Sequence, residues 1–247
     1  MWPHLKVNKK VVGGRNVVYC GRMKPDLDIF ETTDELSAAL GARVLAAAAQ
    51  AVEKRGSFRL AIPGGSVVPM LARGLPQQMN AAAWHIFWVD ERCVPLTHSD
   101  SNFLLAQAEL LPKLAGAKAH PIRGDAAAYE NTLRPHLPLD LVVLGMGGDA
   151  HVASLFPGHP LLKESARLVA AIADAPKPPA ERITLTLPAL NGAVEILVVV
   201  AGGGKATAVA RVFGPSANLP AQRLAPQSGA VRWLVDRAAA AHLGART

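Results

Sequence analysis

Apolar residues along this chain fall into two patterns that alternate from one end to the other. Short, solid runs rich in Val, Ile and Leu predict strands that are buried on both faces. We predict such strands at residues 58–62, 84–89, 140–144 and 196–201, with a shorter one at 183–187. Segments with helical spacing lie between them. This alternation predicts an α/β fold: a Rossmann-like, mostly parallel sheet with helices on both faces.

The first predicted helix is the clearest, because Thr32 and Glu35 have the spacing of a capping box and Gly56 provides a stop. Four further helices are predicted at residues 67–75, 101–111, 205–212 and 231–242. The last of these is predicted to be a closing helix with Trp233, Leu234 and Ala238 on one face. The Pro-rich stretch 175–179 is predicted to be a loop.

The chain has 247 residues, enough for one large domain. Residues 1–25 are basic and irregular, and we predict an N-terminal extension with an added strand pair over 16–20. Residues 26–247 are predicted to form a single α/β domain. No apolar run reaches the ~18 residues of a membrane span, and the N-terminus lacks the apolar core of a signal peptide. We therefore expect a cytoplasmic protein that does not bind membranes.

The net charge of +7, from 26 basic and 19 acidic residues, would suit nucleic acid or a small anion. The basic residues are scattered, with Lys9 and Lys10 as the densest pair, and no basic run is interleaved with aromatic residues. This distribution favours a local site for small anions over nucleic-acid binding. Cys20 and Cys93 form no CxxC pair, so neither a zinc knuckle nor a redox motif is predicted.

Four polar or glycine-rich segments each follow a predicted strand directly: PGGS at 63–66, DER at 90–92, GMGGDAH at 145–151 and GGGK at 202–205. The carboxyl ends of parallel strands meet at one edge of a sheet, and ligands bind there. We therefore expect the four segments to converge on one site, although they are far apart in sequence.

Two of these segments have features that suit a phosphate group. Gly64, Gly65 and Ser66 precede a predicted helix, where backbone N–H groups and the helix dipole attract anions; the alternative is an ordinary tight turn. Lys205 follows three glycines in the same layout and adds a cation; the alternative is a surface lysine. The second segment is not a P-loop, because a valine and an alanine replace the required Gly and Ser/Thr. A single phosphate is favoured over a nucleoside triphosphate.

The other two segments bring acid–base groups. Asp149 and His151 are the sharpest pair, because a histidine beside a carboxylate is suited to be a general base. A metal at this pair would need a third ligand, and none lies at helical spacing, so no metal is expected. In DER, either the charges belong to a solvated loop or one carboxylate orients a partner while Arg92 binds a substrate anion. The remaining histidines show no partner pattern and are expected to be surface or structural residues: His4, His85, His98, His120, His136, His159 and His242.

The motifs together resemble the 6-phosphogluconolactonase family. The matching segments are 87–103, 140–160 and 182–193 and the turn from Gly202 to Ala206, in the family's order and spacing. The resemblance implies hydrolysis of the small molecule 6-phosphogluconolactone in the oxidative pentose phosphate pathway, without a cofactor or metal. A monomer is favoured.

On this resemblance His151 is the general base and Asp149 holds its imidazole, while Arg92 or backbone N–H groups stabilise the oxyanion. The residues expected to bind substrate and its phosphate are Gly64, Gly65, Ser66, Asp90, Arg92, Arg182 and Lys205. Within Asp-Ala-His, Ala150 stands where the family usually has Gly, which costs about 1 kcal/mol if the position needs a positive φ. Val67 and Val152 are smaller departures. Two alternatives remain: a glucosamine-6-phosphate deaminase-like isomerase, and a non-catalytic sugar-phosphate sensor.

Overall fold

The computed structural model describes residues 26–215, 218–226 and 231–244, together with two short strands nearer the N-terminus. The described strands, in chain order, are β1 Lys9–Val12, β2 Arg15–Val18, β3 Asp26–Phe30, β4 Phe58–Ile62, β5 Met79–Asn80, β6 Trp84–Trp88, β7 Asp90–Arg92, β8 Leu114–Ala115, β9 Lys118–His120, β10 Leu141–Gly145, β11 Val169–Ile172, β12 Arg182–Leu185, β13 Glu195–Val200 and β14 Val231–Asp236. The described α-helices are α1 Thr33–Arg55, α2 Val67–Gly74, α3 Asn102–Glu109, α4 Ala126–Leu133, α5 Leu187–Asn191 and α6 Ala206–Phe213.

Seven strands form one sheet in the order β3-β14-β13-β10-β4-β6-β9, and every neighbouring pair is parallel. From β4 the chain moves outward to β6 and β9, then returns to the other side of β4 for β10, β13 and β14. Crossovers between parallel strands are right-handed as a rule, and with this strand order the rule puts the helices of the two halves on opposite faces. The predicted fold class is confirmed. The direction of winding reverses between β4 and β10, which is where sheets of this kind open a crevice for ligands.

The central strands are solid apolar runs because helices cover both faces of the sheet. Leu141, Val142, Val143 and Leu144 of β10 are completely buried, as are Ile196, Leu197 and Val198, the partners of the last three on β13. The first helix also begins and ends as predicted: the Thr32 side chain accepts a hydrogen bond from the Glu35 N–H at 3.1 Å, and a left-handed glycine follows the last turn. No described helix is both long and apolar enough to cross a membrane.

The contact between α1 and α2 depends on two glycines. A Cβ atom added to Gly41 would lie 1.9 Å from the carbonyl oxygen of Gly74, and one added to Gly74 would lie 1.9 Å from the carbonyl oxygen of Ser37. Any side chain at either position would therefore force the two backbones apart. This close approach fixes α2, whose N-terminus lies at the crevice.

The prediction of a closing helix at 231–242 is wrong. Val231–Asp236 is the strand β14, inserted between β13 and β3, and turns follow it up to residue 244. Trp233 and Leu234 are both buried, as expected for a strand covered on two faces, whereas Ala238 is exposed. A short apolar run fits strand and helix spacing equally well, and here burial on both faces selects the strand. The edge strand β3 and the helix α4 were not predicted.

A smaller antiparallel sheet of β11, β12 and β7 covers the carboxyl edge of the main sheet. The DER segment, for which a solvated loop was one of two interpretations, is strand β7 of this sheet. Its pairing with β12 places Arg92 directly opposite Arg182, and Asp90 opposite Thr184. Two segments that are 90 residues apart in sequence thus contribute to the same wall of the crevice.

The N-terminal residues are described only in part. Lys9–Val12 pairs antiparallel with Arg15–Val18, so a strand pair exists, but it begins earlier than the predicted 16–20. Residues 1–8, 13–14 and 19–25 lie outside the described residues. The division into an extension at 1–25 and a single α/β domain at 26–247 stays a prediction.

The remaining histidines, expected to be surface or structural residues, include several with close partners. His85, His120 and His136 lie together, with centroid distances between their rings of 4.7 to 5.2 Å. His159 Nε2 lies 3.0 Å from a carboxylate oxygen of Asp174. None of these contacts has a sequence signature, because each joins elements that are separate in the chain.

Candidate active site

A cleft of about 320 Å³ opens at the carboxyl edge of the sheet, between β4 and β10. All four strand-end segments contribute to it, so the predicted convergence is observed. The predicted site residues that line the cleft are Gly64, Gly65, Ser66, Asp90, Arg92, His151, Arg182 and Lys205. The remaining predicted residue, Asp149, does not line the cleft but contacts His151.

The cleft contains an imidazole that is oriented by a carboxylate. Nδ1 of His151 lies 2.5 Å from Oδ1 of Asp149, and the His151 backbone N–H donates to the same oxygen at 3.3 Å. The carboxylate can only accept, so Nδ1 carries the proton and Nε2 is the nitrogen left to accept one. The Phe156 ring lies 4.8 Å from the imidazole and limits its movement.

Burial and charge act in opposite directions on this pair. Burial lowers the pKa of the His151 imidazole below its ordinary value, although the nearby Asp149 carboxylate opposes that shift. For Asp149, burial favours the neutral acid, but the charge and hydrogen bonds of His151 together hold the pKa of the carboxyl below its ordinary value. At neutral pH the pair is therefore a neutral imidazole held by a carboxylate, the form required of a general base.

A tight turn between the two residues makes this contact possible. Ala150 has a φ of 70°, so this position needs the left-handed conformation. A glycine would adopt that conformation without strain. Its N–H donates to the carbonyl of Gly147 at 3.0 Å, and the Gly147 N–H donates back to the carbonyl of His151 at 2.9 Å. A Cβ at Gly147 would lie 2.1 Å from Nδ1 of His151. The turn therefore keeps the pair in contact at the cost of strain at Ala150.

The opposite wall of the cleft suits an anion. Gly64, Gly65 and Ser66 precede helix α2, which has no acidic residue in its first turn. Gly65 has a φ of 63°, and a Cβ at Gly64 would lie 1.8 Å from the side-chain oxygen of Asn102. The Ser66 side chain makes no capping bond to the helix, so its hydroxyl is available to a ligand. Backbone N–H groups at such a helix start favour negative charge.

Two arginines line the cleft without an ion pair to any described acidic residue. Arg182 is 5% exposed, and among the described residues its guanidinium donates to the backbone carbonyls of Pro179 and Lys177, at 3.0 and 2.9 Å. Arg92 donates to the carbonyl of Asp100 at 2.6 Å, while its buried Nε has no partner among the described residues. Burial and the charge of Arg92 lower the pKa of Arg182, and the charge of Asp90 opposes that shift. Like charges directly opposite each other on paired strands repel, so an anion between them would stabilise the arrangement.

The two acids of DER are both held inside the protein. Asp90 accepts from the Ser154 hydroxyl at 2.7 Å and from the Asn102 amide at 3.3 Å. Glu91 accepts from the backbone N–H groups of Asn102 and Phe103, at 2.7 and 2.8 Å, and so holds the N-terminus of α3. Glu91 is therefore the carboxylate that orients a partner, whereas Asp90 lies at the cleft.

Lys205 ends a single 3-10 turn, Gly203–Lys205, that leads into α6. Gly202 and Asp236 fix the start of this turn. Gly202 adopts a φ of 91°, and its N–H donates to both carboxylate oxygens of Asp236 at 3.0 and 2.9 Å. Burial and the charge of Lys177 lower the pKa of Lys205, with Asp149 opposing the shift. Lys205, like Arg182, thus has another cation nearby, and an acidic residue partly offsets that charge.

Residues 31–233 match the sequence profile of the family described as glucosamine-6-phosphate isomerases/6-phosphogluconolactonase. The chain belongs to this family. It is 39% identical over 236 residues to the 6-phosphogluconolactonase of Rattus norvegicus, covering 87% of this chain and 92% of the rat protein. It is 38% identical over 237 residues to the Homo sapiens 6-phosphogluconolactonase, with the same coverage.

Solved structures of the family agree with this assignment. The 6-phosphogluconolactonase of Trypanosoma brucei has a TM-score of 0.79 at 27% identity and covers 90% of this chain and 100% of its own. A monomeric glucosamine-6-phosphate deaminase has a TM-score of 0.70 at 19% identity, which shows a shared fold alone. Over most of its length this sequence is therefore similar to 6-phosphogluconolactonases.

Several residues that line the cleft were not predicted from the sequence. Among them are Lys177, Asn102 and Phe156. Lys177 lies in the Pro-rich stretch that was predicted only as a loop. It was not predicted as a site residue because it is far in sequence from every strand-end motif. A lysine enclosed by prolines shortly before a predicted site residue, Arg182, was the only signal in the sequence.

Proposed function

We propose that this protein hydrolyses 6-phosphogluconolactone to 6-phosphogluconate. The observation that carries the proposal is the presence, in one cleft, of a carboxylate-held imidazole and of two arginines that form no ion pair with a described acidic residue. The first can activate water and the second can bind a phosphate group. The names of the curated relatives, 6-phosphogluconolactonases at up to 39% identity, support the same substrate.

His151 acts as the general base in this proposal. Its Nε2 removes a proton from a water molecule while the water oxygen attacks the lactone carbonyl carbon. Asp149 keeps the proton on Nδ1 and stabilises the imidazolium that forms. When the intermediate collapses, the bond between the carbonyl carbon and the ring oxygen breaks, and the imidazolium returns its proton to that oxygen. The product is the open-chain acid, and the histidine is neutral again.

Arg92 and backbone N–H groups at the strand ends stabilise the oxyanion of the tetrahedral intermediate. Gly64, Gly65 and Ser66 bind the phosphate together with Arg182 and Lys205. Asp90 contacts a sugar hydroxyl or supports Arg92. Because the phosphate is remote from the reacting carbonyl, its binding energy orients the sugar ring toward His151.

The decisive experiment measures lactone hydrolysis above the spontaneous rate in buffer. We expect saturable acceleration by the wild-type protein and a loss in kcat of ~10²-fold or more in His151→Gln. Saturable binding without acceleration would favour the sugar-phosphate sensor, the alternative that strain at Ala150 allows. Ammonia release from glucosamine 6-phosphate would instead favour the deaminase-like isomerase.

The protein is proposed to act as a monomer in the cytoplasm. Described residues of one chain supply the histidine, the carboxylate and the cations that the proposed reaction uses. Sedimentation of the active protein tests the oligomeric state, and localisation of the full chain tests the compartment.

A further inference from the structure

Three histidines meet at the edge of the main sheet, on elements other than those that build the cleft. His85 lies on β6, His120 on β9 and His136 in the short 3-10 turn Arg134–His136 after α4. The pairing of β6 with β9 places His120 beside Phe87, and the rings of His120 and Phe87 stack with centroids 4.6 Å apart. Two rigid strands and one turn thus fix the positions of the three imidazoles.

We propose that His85, His120 and His136 form a binding site for one divalent transition-metal ion, with zinc as the representative case. One nitrogen from each ring lies within 4.8 Å of the other two. Imidazole nitrogen is a preferred ligand of zinc, nickel and copper. Three such ligands leave the fourth position of a tetrahedral ion open to water.

The distance between two of the three rings is close to that which a bound ion requires, while the three nitrogens together lie within 4.8 Å and would draw closer around an ion. Two nitrogens on the same tetrahedral zinc ion lie roughly 3.3 Å apart, given zinc–nitrogen bonds of about 2.0–2.1 Å. Nδ1 of His85 and Nε2 of His120 are 3.0 Å apart. Their rings are nearly coplanar, with centroids 5.2 Å apart, so the two nitrogens face each other edge to edge. Small rotations of the rings would turn both lone pairs toward a shared ion.

The surroundings of the cluster set its expected affinity. All three rings are partly exposed, so an ion can enter from solvent and keep a water ligand. The charged groups that act on the rings are Lys118 and Arg59, both cationic. No carboxylate hydrogen-bonds to any of the three rings in the described structure, whereas the ligands of tight zinc sites usually have such partners. We therefore expect affinity weaker than that of a structural zinc site, and stronger once a neighbouring positive charge is removed.

The test is a titration of the tag-free, chelator-treated full chain with zinc at neutral pH, followed by calorimetry. We expect one ion to bind per cluster, with a loss in affinity of ~10-fold or more in His120→Gln and in His136→Gln. His136 lies in a surface turn, so that variant keeps the test valid if a change on a strand disturbs folding. Lys118→Gln should bind zinc more tightly than wild type.

Two matched variants locate the ion. His98→Gln removes a histidine outside the cluster, and His151→Gln removes the imidazole of the cleft; both should bind zinc as wild type does. Anomalous diffraction from zinc-soaked crystals should place the ion between the three rings. Absence of zinc binding by the wild-type chain, equal binding by the cluster variants, or loss of binding in His151→Gln would overturn the proposal.

Discussion

The cleft holds one histidine and the edge of the sheet holds three, and the two regions differ in the residues that surround the imidazole rings. In the cleft, His151 contacts the Asp149 carboxylate, which opposes the effect of burial on the imidazole pKa. At the edge, the described ring contacts are with each other and with Phe87, and burial with neighbouring positive charge lowers the pKa of His120 to about 4. A carboxylate partner fixes the tautomer of an imidazole and prepares it for proton transfer. Histidines that contact one another have ring nitrogens whose lone pairs can bind a metal ion.

The largest expected effect separates these two roles directly. His151→Gln should reduce kcat by ~10²-fold or more, because the side chain that accepts the proton from water is removed. His120→Gln should leave kcat within about twofold, because the cluster does not line the cleft. Steady-state lactone hydrolysis by both folded variants provides the measurement. Equal losses in the two variants would remove the distinction between the regions.

Lys205→Ala should act on recognition of the phosphate. We expect the fall in kcat/KM for 6-phosphogluconolactone to correspond to a loss of ~1.5–3 kcal/mol in transition-state stabilisation, the value of a hydrogen bond to a charged group. Unphosphorylated gluconolactone should be affected far less, and inorganic phosphate should inhibit the variant less than the wild type. If both lactones lose equally, Lys205 does not contact the phosphate, and Ser66, Arg92 and Arg182 must bind it alone.

The pH profile tests the carboxylate partner of His151. A general base is inactive once protonated, so activity should be lost as the pH falls through the pKa of His151, which lies below its ordinary value of 6.5. Asp149→Asn removes the group that raises this pKa, so the acid limb of kcat/KM should move to lower pH. A limb that stays in place in Asp149→Asn would show that another group limits the rate.

The smallest effect concerns strain in the turn between the paired residues. Ala150→Gly should increase the free energy of unfolding by up to about 1 kcal/mol, since glycine adopts the observed φ of 70° without a steric penalty. The control is Ala46→Gly, an exposed position inside α1, which should lose roughly 0.5–1 kcal/mol. Urea unfolding of both variants checks the signs. Destabilisation by both would mean that strain at Ala150 is negligible.

Local sequence patterns predicted most of the central sheet and the meeting of the four strand-end segments. Runs such as 140–144 could be interpreted because burial on both faces leaves only apolar residues, and parallel strands all end at one edge. The prediction for the closing segment 231–242 was wrong because a run of six residues fits the spacing of a helix and that of a strand equally well. The cluster of His85, His120 and His136 was unpredictable for another reason: it depends on which strands are neighbours, and no local pattern encodes that.

The roles of the predicted site residues are a separate matter from their positions. The structure brings them together, including Arg182, which reaches the cleft only because β12 pairs with β7. It also adds Lys177, whose position depends on how a proline-rich loop folds over the sheet edge. What each side chain contributes to hydrolysis stays a prediction until the variants above are measured.

The position of β14 has a consequence for synthesis of the chain. β3 is the first strand of the sheet to be made, yet its described sheet partner is β14 alone. Arg232 donates a hydrogen bond to Asp28 across this pair, and the two residues are 204 apart in sequence. At about 5–20 residues per second, a ribosome takes roughly 10–40 s to cover that distance. During this time the nascent chain exposes β3 without its sheet partner, so a chaperone that binds extended apolar segments has its longest opportunity at Asp26–Phe30.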